Sequence, residues 1–141
     1  MPRILGLNAV GVLVSAIVFF LIGFVFYGII FQELWMGAMG IEPDPEVGVD
    51  TVELGKGFLI SLTTAIFLGL ALKKMGASDL MSALKKSAFL WLGFAVTTLA
   101  YGLLYSGYPP ILFVLDSAHL LTGFLAMAAI QTLMDGKDSA S

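Results

Sequence analysis

Cysteine is missing from this sequence altogether. Its absence excludes disulfides, thiolate metal sites, cysteine nucleophiles and iron–sulfur ligation, and it leaves the redox compartment open. Polar chemistry is thin as well, with one histidine and only 12% charged residues in a chain of 141. No nucleophile-and-base constellation is visible. One histidine and scattered acids do not supply the three or four ligands of a metal site. Seven methionines in so apolar a chain read as packing residues rather than haem ligands. Neither an enzyme nor a metal site is expected, and the sequence names no cofactor. Ten acids against seven bases, with the lysines clustered apart from the acids, leave no nucleic-acid footprint.

What the sequence does have is apolar length. Hydrophobic residues make up 59% of it, more apolar surface than one small soluble core can hide. The expected fold class is all-α: an integral membrane four-helix bundle forming one domain over residues 1–141, with the lipid bilayer as its first partner. Residues 4–32 carry no charge. That is longer than the roughly 7 to 15 residues of a secretory signal core, so they read as a retained first span, about residues 6–31.

The second span has only 16 uncharged residues, Gly57 to Leu72, or roughly 24 Å against a hydrocarbon core of about 30 Å. Asp50 and Glu53 have the form of a capping-box start, and Glu53 can pair with Lys56, which extends the helix to residues 51–74 with Gly76 as its stop. The third is expected over residues 87–105, preceded by a short interfacial helix from Ala77 to Lys86 capped by Ser78. The fourth follows Tyr108, Pro109 and Pro110 and runs over residues 110–134.

Arg3, Lys73, Lys74, Lys85, Lys86 and Lys137 fall on one side of these spans, leaving Lys56 alone on the other. The positive-inside rule makes that basic side cytoplasmic, with both termini inside. The outer loop between spans one and two then carries Glu33, Glu42, Asp44, Glu46, Asp50 and Glu53, and Pro43 and Pro45 argue against regular structure in its middle. Trp35, Tyr27, Tyr101, Tyr105 and Tyr108 gather toward the same outer face, as in an aromatic belt.

Small residues mark packing faces. Gly57, Ser61, Ala65 and Gly69 recur at every fourth position of the second span, a stripe that admits a close neighbour. On the fourth, Asp116, His119, Gly123 and Ala126 form a small, polar side expected to face the bundle. Phe113, Leu120, Leu121 and Phe124 form a bulky side expected to face lipid or a partner.

The run Asn8-Ala9-Val10, Gly23 through Phe31 with Tyr27, Leu34-Trp35-Met36, Met39-Gly40-Ile41, Leu115-Asp116-Ser117-Ala118-His119-Leu120 and Met127 to Ile130 resembles the bacterial membrane family catalogued as domain of unknown function 1761. The resemblance covers nearly the whole chain. It implies a small four-helix protein of the bacterial cytoplasmic membrane and carries no assigned reaction. Phe26 stands where the family usually has tryptophan, and Ala118 where it often has an aromatic, so the aromatic surround that the pattern implies for Tyr27 and His119 is weakened here.

Asp116 and His119 stand one helical turn apart inside the fourth span, and ionisable groups in a bilayer are costly enough to mark a site. Counting from Pro110 puts them roughly 9 and 13 Å along the helix, in the outer half of the bilayer. Tyr101, Thr97, Thr98 and Tyr27 come to comparable depth, so the candidate ligand or proton site is Asp116, His119, Tyr101 and Tyr27. Such a group could relay protons, bind a cation or hydrogen-bond a polar ligand. The simpler reading is that Asp116 bonds His119 or a tyrosine across helices and only fixes packing.

Two function classes follow. The first is a non-catalytic membrane protein, an accessory subunit or a homo-oligomer, whose faces meet partner helices. The alternative is a small-molecule, ion or proton-linked binding or transport protein built on Asp116 and His119. Four spans are a small frame for a transporter, and spans one and two do not visibly recur in three and four, so oligomerisation would have to supply the second half.

Overall fold

The computed structural model describes residues 2–140, with side chains through Gly136. The side chain of Lys137, one of the six bases assigned to the inner face, lies outside the described residues. The chain opens with a small hairpin, β1 (Arg3–Ile4) against β2 (Leu7–Asn8). Its two-residue turn is left-handed at both positions, Leu5 at φ +52° and Gly6 at φ +82°, the twist that joins adjacent strands tightly. The Gly6 carbonyl accepts from Arg3 Nη2 at 2.6 Å and Lys73 Nζ at 3.0 Å, tying the hairpin to the end of the second span. The first span therefore begins later than residue 6: Asn8 Oδ1 accepts from the Val10 and Gly11 amides at 3.0 and 3.1 Å and starts α1 (Ala9–Val25).

Beyond Val25 the helix widens to a π-turn, Phe26–Ile30, and the Phe31 amide reaches back to the Phe26 carbonyl at 2.8 Å. The connection to the next span then holds a short helix, α2 (Gln32–Met39), before the Pro43–Pro45 segment breaks regular structure. Asp50 starts α3 (Thr51–Lys74) by accepting from the Val52 and Glu53 amides at 2.9 and 3.3 Å, and Lys56 pairs with Glu53 at 2.8 Å. At its end Gly76 turns left-handed, φ +73°, so that Gly76 and Ala77 close bonds to the Lys73 and Leu72 carbonyls at 3.1 and 3.0 Å.

The third span differs from expectation. There is no separate interfacial helix and Ser78 is not its cap: Asp79 accepts from the Ser82 amide at 2.7 Å and starts α4 (Leu80–Leu90). That helix runs on through a wide π-segment, Trp91–Val96, into α5 (Thr97–Tyr105). Lys85 and Lys86 do not interrupt it, and Lys86 Nζ reaches back toward the start of the helix to donate to Ser82 Oγ at 2.6 Å. Pro110 opens α6 (Pro110–Ala140), which also continues past the expected end at residue 134.

Four helical stretches are long and apolar enough to cross a membrane: Ala9–Ile30, Thr51–Lys74, Leu80–Tyr105 and Pro110–Gly136. The shortest has 22 residues, about 33 Å of helix. The chain is a multi-pass membrane protein. The most extensive packing is α1 against α6, with α3 lying mainly on α1 and α4 on α6. Val12, Ala16 and Phe19 of α1 meet Ala65, Leu68 and Leu72 of α3 and Met127 and Ala128 of α6 in one buried cluster. Ser61, Ala65 and Gly69 of the small stripe are buried and Gly57 partly so. The bulky side of α6 does not all turn outward, since Leu120 and Phe124 pack on that cluster; as the central helix, α6 has neighbours on more than one side.

Two glycines set the spacing. A Cβ on Gly123 would stand 2.4 Å from the Phe19 ring, and one on Gly69 would stand 2.2 Å from Gln131 Oε1. Gln131 is buried at that point and its amide donates to Ser15 Oγ at 3.0 Å and the Ala65 carbonyl at 2.9 Å, binding spans one, two and four together. Gly123→Leu is expected to lower stability by about 1–3 kcal/mol or more in a thermal or denaturant melt in detergent. Gly55→Ala, at an exposed position of α3 with nothing within 4 Å of a new Cβ, should be neutral or stabilising by up to about 1 kcal/mol.

Candidate functional site

One line of α6 faces the other spans: Leu112, Asp116, His119, Gly123, Met127 and Gln131, spaced three or four residues apart as a single helical face requires. Opposite its N-terminal half, α1 gives way to the Phe26–Ile30 π-turn. An extra residue per turn changes the direction of the side chains that follow. Tyr27, within that turn, donates its phenol hydrogen to Asp116 Oδ1 in a short hydrogen bond. The second oxygen is taken from another direction: Tyr108, in the turn before α6, donates to Asp116 Oδ2 at 2.6 Å. Left-handed Gly107, φ +64°, turns the chain there, and the Tyr108 amide bonds the Gly102 carbonyl at 3.1 Å. Both carboxyl oxygens of Asp116 thus have a phenol of the chain itself. Partial burial first, and the hydrogen bond to Asp116 second, push the Tyr108 phenol up to about 12, so it stays a donor until strongly alkaline pH.

His119 makes no hydrogen bond to Asp116. It is enclosed by rings instead. Phe19 stacks on it with centroids 5.4 Å apart and planes 19° apart, Phe26 lies at 5.5 Å, and Tyr27 stands edge-on at 5.1 Å. Its Nε2 is buried without a partner, 3.3 Å from where a Cβ on Gly23 would stand. The aromatic surround exists despite the residues at 26 and 118, because Phe26 serves where tryptophan was the pattern and Phe19, one turn before Gly23, supplies the stacking ring. The Ser117 hydroxyl is also buried without a partner, while the Ser117 carbonyl accepts from Trp91 Nε1 at 2.8 Å, a tie from the third span. Among the described residues no group of three or more His, Asp or Glu converges on a point.

Of the four residues proposed for the site, the structure brings Asp116, His119 and Tyr27 together and leaves Tyr101 out. Tyr101 is 67% exposed and stacks on Tyr105 at 6.0 Å. Thr97 also faces away, bonding the Gly93 carbonyl of its own helix at 2.8 Å. Counting depth by helical rise places Tyr101 at the right height, but the Trp91–Val96 π-segment rotates the residues after it and gives the inward position to Trp91. Phe19 and Trp91 were not singled out from the sequence, and Tyr108 was read there as a belt residue in the turn before the fourth span, not as part of the site. Only Tyr108 carried a signal, a phenol eight residues before Asp116 across a Gly-Tyr-Pro-Pro turn.

Beside His119 the meeting of α1, α3 and α6 leaves a cleft of about 410 Å³, walled by Phe20, Gly23, Phe24, Gly57, Ile60 and the imidazole itself. Glu53 and Ser61 are the polar residues along its α3 wall.

The two phenols should contribute measurably to stability. Tyr27→Phe and Tyr108→Phe are each expected to cost about 1 kcal/mol, whereas Tyr101→Phe should stay within about 0.5 kcal/mol; denaturant titration of the three variants in one detergent tests this. In the same assay stability should hold below about pH 10 and fall as pH climbs toward about 12, because the folded state keeps the Tyr108 proton longer than the unfolded chain does.

No curated protein and no solved structure matches the chain. A family model does, over residues 10–132, nearly its whole length. The chain therefore belongs to the family described as Protein of unknown function (DUF1761).

Proposed function

We propose that the chain is a non-catalytic subunit of the bacterial inner membrane, with both termini and the Lys73–Lys86 connection in the cytoplasm, that assembles with further copies or other membrane subunits through its third span. The observation that carries this reading is the exposure of Leu80–Tyr105. Only 6% of its most apolar window is buried, against 22–33% for the other three spans. Gly93, Thr97, Tyr101 and Tyr105 form an outward line at every fourth position, with small residues toward one end and a stacked tyrosine pair at the other. Small residues let backbones approach, and tyrosines suit the membrane boundary. The Asp116 carboxyl argues in the same direction, since an ion- or proton-coupled carrier needs a carboxyl free to exchange partners, and here both oxygens are held.

The cysteine-free background makes the test direct. A single cysteine at Thr97 is expected to give a disulfide-linked dimer on mild oxidation in membranes, and native mass measurement in mild detergent should show an assembly larger than one chain. If partners are other subunits, the mass identifies them; a lone monomer with no cross-link at Thr97, Tyr101 or Tyr105 overturns the proposal. For orientation, an impermeant maleimide should label a cysteine at Val47 in intact cells and spare one at Ser78.

A further inference from the structure

Asp116 and His119 of α6 end in opposite states, one with both oxygens paired and one with a buried nitrogen lacking a partner. An unmade hydrogen bond in an apolar surround is costly, and the imidazole forms part of the wall of the cleft between α1 and α3. We propose that this cleft binds a neutral, membrane-derived alcohol, an apolar chain carrying one hydroxyl, with the hydroxyl pairing with His119 Nε2.

Each part of the ligand answers to a feature of the wall. Phe24, Leu54 and Ile60 are 56%, 43% and 66% exposed at the cleft's rim, so within a membrane the opening faces lipid and an apolar chain enters sideways. A volume of about 410 Å³ suits a small lipid rather than a whole phospholipid. Charge is selected against. The one acid or base among the residues lining the wall besides His119 is Glu53, engaged by Lys56, so an anionic headgroup would meet a carboxylate and no free base. The ring cage that would attract a cation is already filled by the imidazole. A neutral polar group remains, and a hydroxyl both donates and accepts, which satisfies Nε2 in either tautomer. Gly23 leaves no side chain over the imidazole edge, where a Cβ would stand 3.3 Å from Nε2.

The chain's one histidine makes the test specific. With ¹⁵N-histidine label and the protein in lipid nanodiscs, dodecan-1-ol is expected to move the Nε2 resonance saturably, while dodecane leaves it in place. In calorimetry the alcohol should bind about five- to tenfold more tightly than the alkane, the worth of one hydrogen bond. That preference should vanish in His119→Phe, which keeps a ring in the cage. Gly57→Leu, which fills the cleft from α3 without touching the imidazole cage, should weaken the alcohol at least about tenfold. Equal binding of alcohol and alkane with an unmoved Nε2 overturns the proposal, as does binding unaffected by Gly57→Leu or no binding of either probe.

Discussion

The bundle depends on how closely α1 and α6 approach. Between helices in lipid there is little hydrophobic drive, because the tails are as apolar as leucine; dispersion and hydrogen bonds have to hold the pair. Phe19 lies against the bare backbone of Gly123, and dispersion falls off so steeply with separation that a methyl group's worth of spacing there would forfeit much of the contact. The same ring stacks on His119, one turn away on α6. Helix packing and the candidate site are therefore one contact seen from two sides, and the site's geometry is inherited from the closeness of the helices.

Polar groups then fix what dispersion leaves free. Sliding or rotating one apolar helix on another costs little, but separating a buried polar group from its partner in hydrocarbon is expensive. Asp116 and Gln131 sit 15 residues apart on the same line of α6, about 22 Å of helix. At one end Asp116 collects phenols from the π-turn after α1 and from the turn before α6; at the other Gln131 joins Ser15 of α1 to the Ala65 carbonyl of α3. Two pins at that separation set both register and rotation. The third span has a lighter tie, the Trp91 indole on the Ser117 carbonyl, consistent with its position at the edge.

The spans were legible because apolar length, caps and glycine stops are local signals. Asp50, Gly76 and Pro110 mark helix ends by chemistry that needs no tertiary partner. What failed depended on helical phase or on non-local contact. Counting depth by helical rise brought Tyr101 into the candidate site without fixing its direction, and past the Trp91–Val96 π-segment, invisible in the residue pattern, it points outward. Ser78 and Asp79 are both good caps one residue apart, and only the course of the helix decides between them. Gln131 was overlooked because one amide in a long apolar run has no spacing motif, although it lies on the line already drawn through Asp116, His119 and Gly123. The candidate site was half legible: the acid, the histidine and one tyrosine follow from the rarity of such groups in a membrane, while Phe19 is one of 11 phenylalanines and nothing local distinguishes it.

The rarity argument treats Asp116 and His119 as a pair, and the structure divides them. Three residues on a helix advance the direction by about 300°, leaving neighbouring side chains roughly 60° apart around the axis. That angle is enough to send Asp116 toward the Gly107–Tyr108 turn and the π-turn after α1, where tyrosines are available, and His119 toward the α1 and α3 wall, where rings surround it and hydrogen-bond donors do not. The carboxyl spends its capacity on architecture. The imidazole, held by stacking alone, keeps one nitrogen uncommitted at the place where three spans leave a cleft, so any chemistry this region performs is more readily assigned to the histidine than to the acid beside it.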